Sequence, residues 1–310
     1  MTLKRSKLRV LIAVVLVISC IAANMFVVSA DNANTASAAA DVSAAKVVEN
    51  DNSYSAYLTL NADAATTAGD VVYDFDNTVL DNQPINFSVN VKESGLYYIG
   101  MNYKSADTIM SDFRIGLKID GAFPFDKAEK LEFPRMWCDE EGQDLVDDMG
   151  NEFAAQQVQY TGYFYNEAID PTAQREDKYV VYLNAGVHNV TIIPNVGKME
   201  IDYFKFAATK AAEKYTAPAD DAVKYDGEPI VIEGEDATIK SSYFFVGQNN
   251  AASTKITPQS AENILINYIG GGNWSNVGDT IVWETPELKA GYYKLGFSFS
   301  QETLIGGKSY

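Results

Sequence analysis

The sequence predicts an all-β protein with β-sandwich architecture, and two observations carry that expectation. From Val71 onward, short runs of alternating apolar and polar residues, rich in β-branched and aromatic side chains, are separated by Gly, Asp, Asn or Pro. In addition, Pro84–Ser105 (PINFSVNVKESGLYYIGMNYKS) and Thr280–Gln301 (TIVWETPELKAGYYKLGFSFSQ) align without a gap at a separation of 196 residues. Ile85/Ile281, Gly95/Gly291, Tyr97/Tyr293 and Gly100/Gly296 are identical, and Phe87/Trp283, Ile99/Leu295, Met101/Phe297 and Tyr103/Phe299 keep the same period-2 apolar character. One strand pair around a glycine turn is therefore used twice.

The elements follow in chain order. Residues 1–30 read as an export signal: Lys4, Arg5, Lys7 and Arg9 precede the apolar run Val10–Ala23, and Val28-Ser29-Ala30 is a small-x-small cleavage site. Two other readings stay open there, a retained membrane anchor and a lipid-anchored Cys20 in Val17-Ile18-Ser19-Cys20. Residues 31–70 form a spacer and leader: 31–53 is rich in Ala, Asn, Ser and Asp without periodicity, and Tyr54–Ala64 is a short helical stretch. A first sandwich is expected over 71–208, with strands at Val71–Phe75, Ile85–Val91, Leu96–Tyr103, Phe113–Ile119, Tyr179–Leu183, His188–Ile193 and Lys198–Phe206. Residues 209–227 read as a linker. A second, incomplete sandwich is expected over 228–310, with strands at Ile230–Ile239, Lys255–Thr257, Ile264–Ile266, Thr280–Glu284 and Tyr292–Ser298. Tyr310 is the counterpart of Arg114, so this second copy reads as cut short.

Composition narrows the function classes. The net charge of −18 becomes −22 once residues 1–30, with four basic and no acidic side chains, are removed. Such a surface repels phosphate backbones, which argues against nucleic acid as a partner. Beyond the signal, Cys138 is the single cysteine, so no internal disulfide is available, and a small apolar packing role is expected for it. His188, the only histidine, lies in an alternating strand and reads as a member of a surface pair. No Gly-x-Ser-x-Gly elbow, Cys/His metal spacing or phosphate-cradling loop is present.

Several motifs resemble those of carbohydrate-binding modules of families six and thirty-five. Val231-Ile232-Glu233-Gly234-Glu235-Asp236-Ala237 is similar to their opening strand, Gly270-Gly271-Gly272-Asn273-Trp274 with Gly278-Asp279-Thr280 and Trp283 to the segment after it, and Ala290-Gly291-Tyr292-Tyr293 to the central turn. Leu183–Phe206, containing Ile201-Asp202-Tyr203, is similar to the closing hairpin. The resemblance implies a galactose-binding-like jelly-roll sandwich, carbohydrate or glycan as ligand, and no catalysis. It also implies a structural Ca²⁺ held by Glu233 and Glu235 with the closing aspartate; in the first copy Asp202, with Asp74 and Asp76 in the glutamate register, takes that place. Glu233 and Glu235 are i and i+2 of an expected strand, hence on one face; an acidic strand edge facing water is the alternative for both pairs.

Leader, signal and tandem modules together resemble the amino-terminal region of bacterial extracellular solute-binding proteins of sugar ABC transporters. That implies secretion to the cell surface and transporter membrane components as partners, reached through a region beyond Tyr310. Similar modules are appended to secreted glycoside hydrolases, and a structural spacer with degenerate sugar sites is a third reading.

Sugar recognition requires flat aromatic faces and a few orienting polar groups. Asn273 and Trp274 in the glycine-rich loop, Trp137, and Tyr163 and Tyr165 of the run Tyr160–Tyr165 are the ligand-contact candidates, with packing as the alternative role for each. Trp283, at the register of Phe87, is expected to pack. The first copy lacks about 37 residues present in the second between Glu235 and Thr280, including the Gly-Gly-Gly-Asn-Trp loop. It has instead an acidic loop, Trp137–Gly150, carrying Asp139, Glu140, Glu141, Asp144, Asp147 and Asp148, read as solvated or cation-binding rather than as a hydrolytic acid–base pair.

Overall fold

A computed structural model describes residues 51–300 apart from 68, 171–177, 211–213 and 220. The export signal, Cys20, most of the spacer and residues 301–310 lie outside the described residues. Among the described residues, no helix is long and apolar enough to cross a membrane.

The chain enters through α1 (Tyr54–Leu60), capped where Ser53 Oγ accepts a hydrogen bond from Ala56 N at 3.2 Å. Its buried Tyr54 packs against Phe125 and Tyr179, with ring centroids 4.6 and 4.8 Å away, so the leader is stapled to the sandwich by aromatic contact.

Two antiparallel sheets face each other. One contains β1 (Val71–Leu80), β11 (Met199–Ala208) and β3 (Gly95–Ser105) in that order, with β8 (Phe164–Glu167) and β9 (Val180–Leu183) sharing the far edge of β3. The other runs β2 (Ile85–Val91), β10 (Gly186–Val196), β4 (Phe113–Ile119) and β5 (Leu131–Phe133). Burial alternates along the strands: Phe87, Val89 and Val91 of β2 point inward, as do Tyr97, Ile99, Met101 and Tyr103 of β3. With Leu117, Ile192, Ile201, Phe204 and Phe206 they form one core, each such side chain worth about 1.5–3 kcal/mol of burial. Strand β1 runs past the expected Phe75 because a bulge between Asp74 and Thr78 lets it resume pairing. Asp76 and Asn77 there have φ of 48° and 61°, a conformation that Asp and Asn tolerate better than branched residues.

Within 71–208, four strands were not legible in the alternation: β5, β6 (Trp137–Asp139), β7 (Gln157–Gln159) and β8, each of three or four residues. Strands β6 and β7 belong to a third sheet, completed by β12 (Ile239–Lys240) and β15 (Ile281–Val282) in the order β15-β12-β6-β7. The region after residue 228 therefore pairs with an excursion of the first module. Only Ile239 of the expected Ile230–Ile239 strand enters a sheet, and Gly234–Asp236 is a 3-10 turn. Residues 255–257 and 264–266 are not strands; β13 (Gly247–Gln248) pairs instead with β14 (Tyr268–Ile269). Tyr292 makes only an isolated bridge to Lys224, and Leu295, Phe297 and Phe299 are exposed at 71, 50 and 85%. Their first-copy counterparts are buried because β3 has neighbours on both edges, a condition not met for 293–299 among the described residues.

Two buried cations are held by acids, one within the first module and one across the third sheet. Arg135, fully buried, has its guanidinium 3.9 Å from the Phe113 ring centre, donates from Nε to Ser111 O at 2.6 Å and places Nη2 2.7 Å from Asp107 Oδ1. Lys240, also fully buried, reaches across the third sheet to Asp139 Oδ1 and to Gln157 Oε1, the latter at 3.1 Å. Below the sheet the acidic loop docks on 263–266, where Ile264 N donates to Asn151 Oδ1 at 2.9 Å and Ile266 N to Glu152 Oε2 at 2.7 Å.

Candidate functional site

Tyr163 and Tyr165 lie on the outer face of the β1-β11-β3-β8 sheet, opposite the core. Alternation sends Tyr98, Asn102 and Lys104 of β3 to this face, along with Glu200 and Lys205 of β11, and a bulge between Ile201 and Tyr203 puts the consecutive Asp202 and Tyr203 there too. Register places Tyr203, Asn102 and Tyr165 in one row across β11, β3 and β8. The next row is Lys205, Gly100 and Glu167. Because Gly100 has no side chain, the Tyr165 ring lies down over it; a Cβ there would meet Cζ at 2.7 Å and Cε2 at 2.8 Å. Tyr165 and Tyr203 are then nearly parallel, 24° between planes and 6.1 Å between centroids.

Polar groups hold these rings. Tyr165 Oη donates to Glu167 Oε1 at 3.0 Å, and Lys205 Nζ sits 4.2 Å from the Tyr165 ring centre. Tyr163 Oη is 2.5 Å from both Glu200 Oε1 and the Asn77 side-chain amide. Both partners are acceptors, Glu200 Oε1 and Asn77 Oδ1, and the single hydroxyl proton is shared between them. Lys104 covers the Tyr163 ring at 4.6 Å and pairs with Glu200 at 2.9 Å. Lys178 lies 5.3 Å from the Tyr98 ring and 2.6 Å from Glu167. Burial, and then neighbouring carboxylates, raise the Tyr163, Tyr165 and Tyr203 hydroxyls above their ordinary range, so all three remain neutral donors at physiological pH. The Tyr163 hydrogen bond and Lys104 hold the Glu200 carboxyl below its usual value. Flat rings, amide and hydroxyl donors and carboxylate acceptors are the inventory that recognises a sugar ring.

The other sequence candidates lie elsewhere. Trp137 is not in an exposed loop: it is buried in β6, opposite Lys240, edge-on to Tyr243 at 5.2 Å. Trp274 is half-buried over Gly270 and packs against the small core of Ala237, Phe245 and Ile281, which uses its ring as filling. Asn273 is exposed, donating to Phe244 O at 3.4 Å. Trp283 packs on the same cluster and donates from Nε1 to Gly234 O at 2.9 Å.

The acids expected around Ca²⁺ do not converge. Glu233 and Glu235 occupy the 3-10 turn, where the i, i+2 same-face rule of a strand fails, and Glu235 Oε2 is buried without a hydrogen-bond partner. Burial, followed by Glu233, Asp236 and Glu152, raises its carboxyl. Asp74 Oδ1 is taken by the Asp76 N–H at 2.8 Å, and Asp202 by Asn102 Nδ2 at 2.8 Å. Among the described residues no three His, Cys, Asp or Glu side chains gather to hold a metal ion, so these residues do not form the donor set that the resemblance implies.

In the acidic loop, Asp147 accepts from Asn151 and Met149, and those bonds hold its carboxyl low, the opposite of a hydrolytic acid. Burial raises the half-buried Cys138 thiol and keeps it protonated. Two clefts share Asp81 and Asn82, one of about 500 Å³ lined by residues 78, 79 and 81–85 and one of about 170 Å³ between Asp81, Asp107, Asn195 and Lys198, and neither is lined by an aromatic ring. The charged groups of the smaller cleft are already paired, Lys198 with Asp81 at 2.8 Å and Asp107 with Arg135 at 2.7 Å. The tyrosine face is the better candidate.

Tyr98, Gly100, Asn102, Lys104, Tyr203 and Lys205 are not among the ligand-contact candidates drawn from sequence. Their signal was present in the polar phase of β3 and β11, where only Asp202 was given a role.

No protein-family model matches the chain, and a search of curated proteins finds no match. Among solved structures, a family 35 carbohydrate-binding module from Clostridium thermocellum is similar at 14% identity, covering 46% of this chain and 100% of that one, with a TM-score of 0.27. A GH26-CBM35 β-(1,4)-mannanase of Podospora anserina aligns at 15% identity over 54% of this chain and 29% of its own, TM-score 0.22. A cycloisomaltooligosaccharide glucanotransferase of Paenibacillus aligns at 16% identity over 46% and 17%, TM-score 0.24. At these scores the likenesses carry no functional weight; the all-β sandwich stands on the strand pairing itself.

Proposed function

We propose that this protein binds carbohydrate without acting on it, as a secreted bacterial tethering region that holds a larger extracellular assembly against glycan. The observation that carries the reading is the Tyr165–Tyr203 pair, with Tyr165 laid flat over Gly100, Tyr203 nearly parallel to it, and Asn102, Glu167 and Lys205 bordering them. Aromatic planes of this kind take the C–H face of a pyranose, while the bordering groups accept and donate to its hydroxyls. The export signal and the resemblance to solute-binding proteins support a sugar-transporter context, with ABC transporter membrane components as partners. Attachment to a glycoside hydrolase is the rival context.

Affinity electrophoresis of the full chain through gels holding soluble polysaccharides tests the reading. Retardation is expected with at least one polymer, and Tyr165→Ala/Tyr203→Ala is expected to abolish it while Trp274→Ala does not. Free migration in every gel overturns the proposal.

A further inference from the structure

The charges that border the tyrosines select among glycans. Lys104, Lys178 and Lys205 each lie within ion-pair distance of an acid, at 2.9 Å from Glu200, 2.6 Å from Glu167 and 3.5 Å from Asp70. Asp202 on the same face accepts from the neutral Asn102 amide, and Asp74 and Asp76 stand exposed at the β1 edge beside it. The lysines are thus outnumbered, on a chain whose net charge is already −18. A carboxylate or sulfate brought to this face meets cations whose charge is already matched and further carboxylates that repel it, an interaction that strengthens as salt falls.

The extent of the face matters as well. The row Tyr203, Asn102, Tyr165 crosses three adjacent strands, about 10 Å from the outer strand to the outer strand at the usual strand spacing. Tyr163 and Lys104 extend it on one side and Tyr98 on the other. Ring planes lying flat on a sheet contact a sugar chain along its length.

We infer that the outer face of the β1-β11-β3-β8 sheet takes an internal segment of a neutral polysaccharide and rejects polyanionic glycans. This rests on the carbohydrate-binding reading and narrows it to a ligand class.

The full chain is run at low ionic strength in gels containing a neutral polymer (glucomannan, xylan, mixed-linkage glucan or dextran) or a polyanion (polygalacturonate or hyaluronate). Oligosaccharides of two to six units from the retarding polymer are then titrated by calorimetry. Retardation by a neutral polymer and by neither polyanion is expected, with affinity rising at least tenfold from disaccharide to hexasaccharide. The variant Asp70→Asn/Asp74→Asn/Asp76→Asn/Asp202→Asn keeps side-chain shape, leaves three lysines against Glu167 and Glu200, and is expected to gain polyanion retardation.

Binding of a polyanion by the unmodified chain as tightly as a neutral polymer, a disaccharide as strong as the hexasaccharide, or a four-site variant still indifferent to polyanions overturns this inference alone. Free migration in every gel overturns the carbohydrate-binding reading with it.

Discussion

Replacing Gly100 with alanine puts a methyl group where the Tyr165 ring now lies. To move its Cζ from 2.7 Å to an ordinary 3.4 Å, the ring must lift off the sheet, because the β3 backbone beneath is held by pairing on both sides. Lifting weakens three interactions: the 3.0 Å bond to Glu167, the near-parallel contact with Tyr203 and the Lys205 ammonium at 4.2 Å. Half-exposed, these are worth about 1 kcal/mol for the hydrogen bond and about 0.5–1 kcal/mol for each ring contact. A strand alanine recovers about 0.5–1 kcal/mol relative to glycine. The expected net loss of stability is therefore about 1–2.5 kcal/mol, a modest drop in Tm. Glycan affinity, which depends on the ring plane, is expected to fall about tenfold, equivalent to about 1.4 kcal/mol. Thermal denaturation and calorimetric titration with the retarding oligosaccharide are run on native chain, Gly100→Ala and Tyr165→Phe, the last keeping the ring without its hydroxyl. Native affinity in Gly100→Ala, alongside a lowered Tm, refutes the assignment of Tyr165 as a ligand contact.

Other perturbations probe the framework. Arg135→Ala strands the Asp107 carboxylate and empties the space over Phe113, so chemical denaturation should show a loss of about 3–5 kcal/mol; a loss below 1 kcal/mol contradicts the buried ion pair. Lys240→Ala removes the cation that joins β12 to Asp139 and Gln157, with an expected cost of about 2–3 kcal/mol because Asp139 can rehydrate. Limited proteolysis should then cut earliest within 228–300, and an unchanged cleavage pattern counts against that latch. His188 lies between Asp120 Oδ2 at 2.7 Å and Asn184 O at 2.8 Å; burial opposes its charge, but these bonds raise the imidazole above its usual value, while the Asn189 N–H and then His188 hold the Asp120 carboxyl low. The imidazole contribution is fully present below the unfolded-state value near 6.5 and is lost as pH rises through the higher folded one, while the Asp120 contribution is lost as pH falls through its lowered value. His188→Gln should accordingly be less stable than the native chain between about pH 4.5 and 6, the difference shrinking by pH 8; a pH-independent difference refutes the pairing.

Long alternating strands were read nearly residue for residue: Ile85–Val91 and Phe113–Ile119 match β2 and β4, and Leu96–Tyr103 lies inside β3. In these, seven or more residues repeat a period that only one buried face satisfies. Strands β5 to β8 span three or four residues, too few to display a period, and exist because a distant partner pairs with them, as Trp137 with Gln159 and Tyr165 with Asn102. The same gap separates Tyr163 and Tyr165, visible as an aromatic run, from Tyr203 and Lys205, which read as ordinary outward residues of a closing strand.

The linear order of residues was enough to determine the β class, the apolar faces of the long strands and the acidic charge, because these depend on local composition and on a period shorter than any element; the repeated pattern at 280–301 forms only the two-residue strand β15 among the described residues. Tertiary pairing decided the rest. It turned Glu233 and Glu235 out of a strand, buried Trp137 and half-buried Trp274 against Phe245 and its neighbours. It joined the region after residue 228 to the β6–β7 excursion, and it laid Tyr165 of β8 over the bare backbone of Gly100 beside Tyr203 of β11. Which side chains share a face across strands is set by register between segments far apart in sequence, and that register exists only once the sheet has formed.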